Sequence, residues 1–227
     1  MNPKGFCNKF LTRLPVTFHE EPSGAHPHEY TRFVLAMVPN GENIVNIGCG
    51  KGIYGFLLRT HEETARYMVG VDIERRHLLF CLKHKIYDDV ILADATCLPF
   101  RKSSFQIVLA CDVIEHIEKS KGKVFLKELE RICNGRIILT TPNGTFPFSL
   151  ESYPYETHKS TYSSPELIKF GYKVFGIGFK DFLKLGRMGL LGKFLGWALF
   201  YFFTPIAILF PRIGQFLICS KDCDKKR

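Results

Sequence analysis

Residues 44–52, Ile44-Val-Asn-Ile-Gly-Cys-Gly-Lys-Gly52, decide the fold. An apolar run with the character of a strand breaks directly into a turn carrying glycine at positions 48, 50 and 52. Ile53-Tyr-Gly-Phe-Leu-Leu58 then opens with the spacing of an amphipathic helix. At such a junction the main-chain N–H groups can approach a ligand where a Cβ would collide. Parallel α/β sheets bind nucleotide-like cofactors in this way, outside the carboxyl ends of their strands. The spacing narrows the choice of cofactor. A dinucleotide fingerprint, G-x-G-x-x-G, requires glycine where Ile53 stands, and Lys51-Gly52 lacks the following Ser or Thr of a phosphate-binding P-loop.

Further runs extend the pattern outward. Tyr67-Met-Val-Gly-Val-Asp72 ends in an acid twenty positions after Gly52, suited to accept hydrogen bonds from a ribose diol. Asp89-Val-Ile-Leu-Ala-Asp94 ends in another acid, and Phe105–Asp112 and Arg136–Thr141 supply a fourth and a fifth strand. Helical stretches at Arg75–Ile86 and Lys121–Cys133 lie between them. Alternating helices and near-continuous apolar strands predict a parallel sheet covered on both faces.

Five segments in this order resemble the class I S-adenosylmethionine-dependent methyltransferases, in the small-molecule (type 11) branch that includes quinone-biosynthesis enzymes. They are Val45–Gly52, Val71–Glu74, Ala93–Phe100, Phe105–Ile117 and Ile137–Asn143. The resemblance implies a Rossmann-like, doubly wound, mostly parallel seven-stranded sheet with an antiparallel last strand, and S-adenosyl-L-methionine as cofactor. It implies that Asn46, Gly48, Cys49, Gly50 and Gly52 line the methionine and ribose portion of the cofactor. Asp72, followed by Ile73, would hold the ribose; Asp94 would accept from the adenine amino group beside Ala95; Cys111 would make main-chain contacts near the sulfonium. Asn46 departs from the pattern, because the family usually has an acid there. An amide oxygen still accepts a hydrogen bond but adds no negative charge for a cationic ligand.

Length and composition agree with one elaborated α/β domain of 227 residues. It divides into an N-terminal cap segment (1–40), a cofactor-binding core (41–145), a substrate-side segment (146–182), an apolar insertion between the last two strands (183–213) and a last strand with a basic tail (214–227). Eight scattered cysteines form no C-x-x-C pair and no zinc-type cluster, so reduced thiols in a cytoplasmic protein are expected and no metal is assigned. Met1-Asn-Pro-Lys-Gly-Phe6 has no long apolar run, which argues against a signal peptide. The formal net charge of +9 invites a nucleic-acid reading, but no continuous basic arm supports it. An amino-methylating enzyme for adenine or glutamine would be expected to carry a D/N-P-P-Y loop where this chain has Cys111-Asp-Val-Ile114. A nucleic-acid or protein methyltransferase, a non-catalytic binding protein, and a nucleotide-sugar or NAD enzyme stay as alternatives.

Gly186–Pro211 carries only Arg187 and Lys193 as charges, and Phe194–Pro211 carries none. As one straight helix the uncharged stretch would span roughly 27 Å, just short of a hydrocarbon core. Trp197, Tyr201 and the flanking Lys180, Lys184, Arg187, Lys193 and Arg212 suit an anionic membrane interface. Gly214–Lys221 is expected to pair antiparallel with Gly171–Ile177. Both strands must then lie on one side of any membrane, so Gly186–Arg212 is expected to lie in the membrane plane or form a hairpin, divided at Pro205. A buried helix pair or a dimer interface is the alternative, and the oligomeric state is open.

The expected acceptor is a small molecule or lipid, with peripheral contact at the inner face of the membrane. Candidate general bases are His116, in Asp112-Val-Ile-Glu-His116, and His158, in Glu156-Thr-His-Lys-Ser-Thr-Tyr162. Glu115 and Tyr162 are the expected substrate-side residues. The Asp-x-x-Glu-His spacing also resembles a divalent-metal site of quinone O-methyltransferases. Ala25-His-Pro-His-Glu-Tyr30 is a candidate cover for the pocket.

Overall fold

The computed structural model describes residues 30–60, 65–144, 154–180 and 189–223. Seven strands form one sheet: β1 (Glu42–Ile47), β2 (Ala65–Asp72), β3 (Asp89–Leu92), β4 (Phe105–Cys111), β5 (Cys133–Pro142), β6 (Lys173–Ile177) and β7 (Phe216–Asp222). Their order is β3-β2-β1-β4-β5-β7-β6. β1 to β5 pair in parallel, while β7 runs antiparallel to both β5 and β6. The expected antiparallel pairing of the last two strands is therefore present, with Val174 opposite Cys219 and Ile177 opposite Phe216. The strand order reverses between β1 and β4, which opens a crevice beyond their carboxyl ends.

Side chains alternate across the sheet with the period of two that strands impose. Val45, Ile47, Val108, Ala110, Ile137 and Leu139 face one layer, and Ile44, Met68, Ile107, Leu109 and Ile138 face the other. The first layer is closed by α4 (Lys119–Ile132) and α5 (Ser164–Lys169), through Phe125, Leu126, Leu129 and Leu167. The second is closed by α1 (Thr31–Ala36), α2 (Ile53–Thr60) and α3 (Arg75–Lys83), through Val34, Tyr54, Leu58 and Leu78. Helices on both faces shield a sheet whose central strands are apolar on both sides.

The apolar stretch near the C-terminus is a single helix, α6 (Gly189–Leu209). It passes through Pro205 without ending, which corrects the expected division there. Proline lacks the N–H that would bond the carbonyl of Tyr201, but Pro205 and Tyr201 both lie on the exposed side, where water can serve that carbonyl. The opposite side holds the helix in place. Gly192, Gly196, Phe200, Thr204 and Ala207 form a buried stripe at helical spacing. The Thr204 hydroxyl donates to the Phe200 carbonyl (2.7 Å) and accepts from the N–H of Gly178 (3.0 Å). Gly178, at φ +70°, leaves room for the Phe200 ring, which would lie 2.1 Å from any Cβ built there. Among the described residues, no helix is long and apolar enough to cross a membrane.

Candidate active site

The glycine turn has the backbone that its sequence demands. Gly48, Gly50 and Gly52 have φ of +66°, +52° and +83°, a region that residues with a Cβ seldom enter. A Cβ on Gly48 would lie 2.5 Å from Val113, whereas one on Gly50 would meet nothing within 4 Å. The turn is thus tight on the side facing the fold and open at Gly50. Cys49 is buried beneath it, and its N–H donates to the Val71 carbonyl.

Asp72 ends β2 beside this turn. One carboxylate oxygen accepts from the N–H of Gly50 (2.8 Å) and the other from the N–H of Glu74 (2.7 Å), which fixes the group against the glycine loop. Ile73, next along the chain, is 42 % exposed, an apolar side chain held in the open at a strand tip. Asp94 follows β3 and caps its own turn through Thr96, whose N–H and hydroxyl both bond Oδ1. These bonds hold its carboxyl below the usual carboxylate range. Ala95 lies beside it, half-buried. Cys111 is buried at the end of β4, and burial pushes its thiol upward.

Asn46 occupies the floor. Its amide Nδ2 donates to the hydroxyl of Tyr87 (2.8 Å), and its Oδ1 is buried without a hydrogen-bond partner. The Tyr87 ring fits because Gly55 and Gly70 leave space; a Cβ on either would fall within 2.6 Å of it. An orphaned buried acceptor, an open glycine backbone, a strand-tip carboxylate and an exposed apolar side chain are the groups a cationic, ribose-bearing cofactor needs. Asn46, Gly48–Gly52, Asp72, Ile73 and Asp94 are the residues that would hold it.

The acceptor side is built from the turn after β4. Asp112, at φ +55°, accepts from the hydroxyls of Tyr30 and Thr140, the latter at 3.0 Å. Tyr30 is fully buried against Phe216, with ring centroids 5.0 Å apart. Residues 25–29 of the candidate cover lie outside the described residues, but Tyr30 closes one wall of the crevice. Glu115 is buried and accepts from the Thr141 hydroxyl (3.1 Å); burial and the neighbouring Asp112 push its carboxyl well above the usual range. His116 and His158 meet edge to face, with centroids 4.9 Å apart. Burial, then the adjacent His158, lower the His116 imidazole to about 4, so it is neutral at pH 7. Its Nδ1 faces the Thr157 carbonyl at 3.3 Å. If that nitrogen carries the proton, Nε2 is left as the basic atom. One ligand atom from each of Glu115, His116 and His158 can be drawn within 4.8 Å of the others, a spacing that could hold a metal ion.

The structure brings together the two histidines, Glu115 and the cofactor-side residues, but it removes Tyr162 from the substrate side. That ring is 2 % exposed and packs under α4, where a Cβ on Gly122 would strike its hydroxyl at 1.8 Å. Lys119 Nζ lies 3.5 Å from its centroid. Tyr162 is drawn inward because the glycine in α4 makes a slot for it. Sequence reasoning missed Tyr87 and His77, and it named Asp112 and Glu156 only as members of segments, without their partners. Tyr87 meets Asn46, His77 faces Glu156, and Asp112 is held by Tyr30 and Thr140, all partners remote in the chain.

Comparison with known proteins agrees with this geometry. A family described as methyltransferase domain matches residues 45–139. Phthiotriol/phenolphthiotriol dimycocerosates methyltransferase of Mycobacterium tuberculosis is 28 % identical over 141 residues, covering 60 % of this chain. The match spans only 47 % of that relative's length. Among solved structures, an S-adenosylmethionine-dependent methyltransferase from Mesorhizobium loti superposes with a TM-score of 0.57 at 17 % identity, covering 88 % of this chain and all of that one. Haemonchus contortus phosphoethanolamine N-methyltransferase 2, in complex with S-adenosyl-L-methionine, gives 0.56 at 16 %, covering 85 % of this chain and 52 % of that one. These two structures establish the likeness of fold.

Proposed function

We propose that the chain is a class I S-adenosylmethionine-dependent methyltransferase, as the methyltransferase-domain match over residues 45–139 supports, and that it transfers a methyl group to a lipid-type or other hydrophobic acceptor at a membrane surface. When bound, the cofactor supplies an activated methyl on a sulfonium. The protein's contribution is placement. Asp72 and the glycine loop orient the cofactor, and holding acceptor and methyl in line can supply up to about 7–11 kcal/mol of the barrier. His116, neutral at pH 7, is placed to receive the proton of an acceptor hydroxyl, with His158 beside it.

The observation that carries the acceptor class is the outward face of α6. Leu195, Tyr201, Phe202, Ile206 and Leu209 are exposed along one stripe, with Phe210 just beyond. The stripe meets the N-terminal helix α1, where Arg32 lies 5.7 Å from the Tyr201 ring. An apolar stripe beside Arg32 and the exposed Arg212 suits an anionic lipid surface. Lys184 and Arg187 lie outside the described residues, as do the side chains of Lys193 and Trp197. The mycobacterial relative's lipid name is compatible with such an acceptor. The reading places the protein in the cytoplasm, at the inner face of the membrane. A second reading is favoured by the spacing of Glu115, His116 and His158, which would hold a divalent cation against the acceptor oxygen.

The test presents a total lipid extract in anionic vesicles, with methyl-labelled S-adenosylmethionine. Label should enter the organic phase, and a chelator should leave the rate unchanged unless the metal reading holds. The variant F202S/L209S/F210S should float with the vesicles about tenfold less well, at unchanged melting temperature. Label confined to protein or nucleic acid, or equal flotation, would overturn the respective half of the reading.

A further inference from the structure

His77, in the first turn of α3, is 6 % exposed, and neither ring nitrogen has a hydrogen-bond partner. Buried donors and acceptors left in this state are uncommon and costly. The ring is nevertheless aimed. Its Nδ1 lies 3.4 Å from Asp72 Oδ1 and its Nε2 lies 3.5 Å from Glu156 Oε1, within ion-pair reach though off hydrogen-bond geometry. An imidazole presents its two nitrogens on different edges, so a single ring can face carboxylates from two segments. Here one carboxylate belongs to the cofactor side and the other to the strap that leads to His158.

That strap is pinned at its far end. The N–H groups of Lys159 and Ser160 both donate to the Glu115 carbonyl (2.7 and 3.0 Å), and the Ser160 hydroxyl donates to the Ile114 carbonyl (3.0 Å). Between these bonds and Glu156 lie Thr157, whose carbonyl faces His116, and His158, whose ring meets that of His116. Glu156 itself sits in a short 3₁₀ turn, and burial raises its carboxyl, with His77 the largest opposing influence. The bonds at the Glu115 end are short and well formed; the contacts at the His77 end are long. Contacts that serve a bound state are often loose in the ligand-free protein and tighten only on binding.

We infer that His77 is a positioning residue that latches Glu156 to Asp72, so that cofactor engagement at Asp72 draws the Thr157–Ser160 strap, and His158 with it, into place over the acceptor. The inference rests on the assignment of Asp72 to the cofactor ribose. Ribose hydroxyls donating to Asp72 would reorder the groups around that carboxylate, and His77 transmits the change across a single ring. A coupling free energy of the usual size corresponds to about 5–150-fold between two sites.

Amide hydrogen exchange, read by mass spectrometry with and without S-adenosylmethionine, tests the latch without needing the acceptor. In the unaltered protein the cofactor should slow exchange in residues 157–160 about tenfold, alongside residues 48–52 of the glycine loop. In E156Q and H77N the loop should still respond while the strap loses most of its slowing. H77Q, whose amide mimics Nε2, should restore part of it. Equal slowing of the strap in E156Q and the unaltered protein would overturn the latch, as would a strap indifferent to cofactor while the loop responds. A loop that does not respond in the unaltered protein would instead remove the cofactor assignment, and the latch with it.

Discussion

The two ends of the crevice are built by different means. At the β1–β2 end, the cofactor side is made almost wholly of main chain: three glycines with positive φ and a carboxylate bonded to two backbone N–H groups. At the β6–β7 end, a 21-residue helix is seated by side chains, with Phe200 in the slot left by Gly178 and Thr204 bridging helix to strand. The difference separates what each end tolerates. Main-chain sites fail by losing a few polar contacts, and packed sites fail by losing volume.

The largest expected effect tests the packed end. Phe200→Ala should lower unfolding stability by about 3–5 kcal/mol, because the fully buried ring has no substitute in its slot. Urea denaturation measures it, and a loss under about 1 kcal/mol would show that α6 is held some other way.

Next comes the main-chain end. Asp72→Ala removes the two oxygens proposed to accept from the ribose and should weaken S-adenosylmethionine binding about 100-fold in calorimetry, taking each charged hydrogen bond at roughly 1.5 kcal/mol. An affinity that does not change would erase the contrast between the two ends and sink the cofactor assignment.

The smallest effect sharpens the comparison at the junction of the two. The folded imidazole of His116 titrates at about 4, against an ordinary value of 6.5. Above pH 6.5 the ring is neutral in both folded and unfolded chains, and its contribution is fully present. As pH falls from 6.5 towards 4 the unfolded chain takes up the proton first, so stability is lost across that window. His116→Phe should therefore show a shallower decline than the unaltered protein between pH 6.5 and 4, read from urea midpoints. Parallel pH profiles would mean that the ring is solvated.

How much of this was legible beforehand divides along the same line. The glycine turn, the strand-tip acids and the antiparallel last pair could be read directly, because each depends on residues close together in the chain or on a strand's own alternation. Cys111-Asp-Val-Ile-Glu-His116 reads as a turn rich in polar groups after the fourth strand, but the sequence does not show what holds Asp112: its partners, Tyr30 and Thr140, lie 82 and 28 positions away. Tyr162 reads as a substrate-side residue for the same reason, since nothing near it in the chain announces that Gly122 has cleared a slot that buries the ring. Pro205 reads as a break because the sequence does not show that it lies on the side of the helix that faces water.

Local chemistry thus set most of the glycine loop: its φ values favour glycine and strand length puts a carboxylate beside it, although the bond that fixes Asp72 reaches Gly50, 22 positions away. The tertiary structure decided everything that hangs on a meeting of remote segments. It put His158 against His116, His77 between Asp72 and Glu156, and α6 beside Arg32 of α1, because such contacts depend on how the layers pack and not on any neighbouring residue.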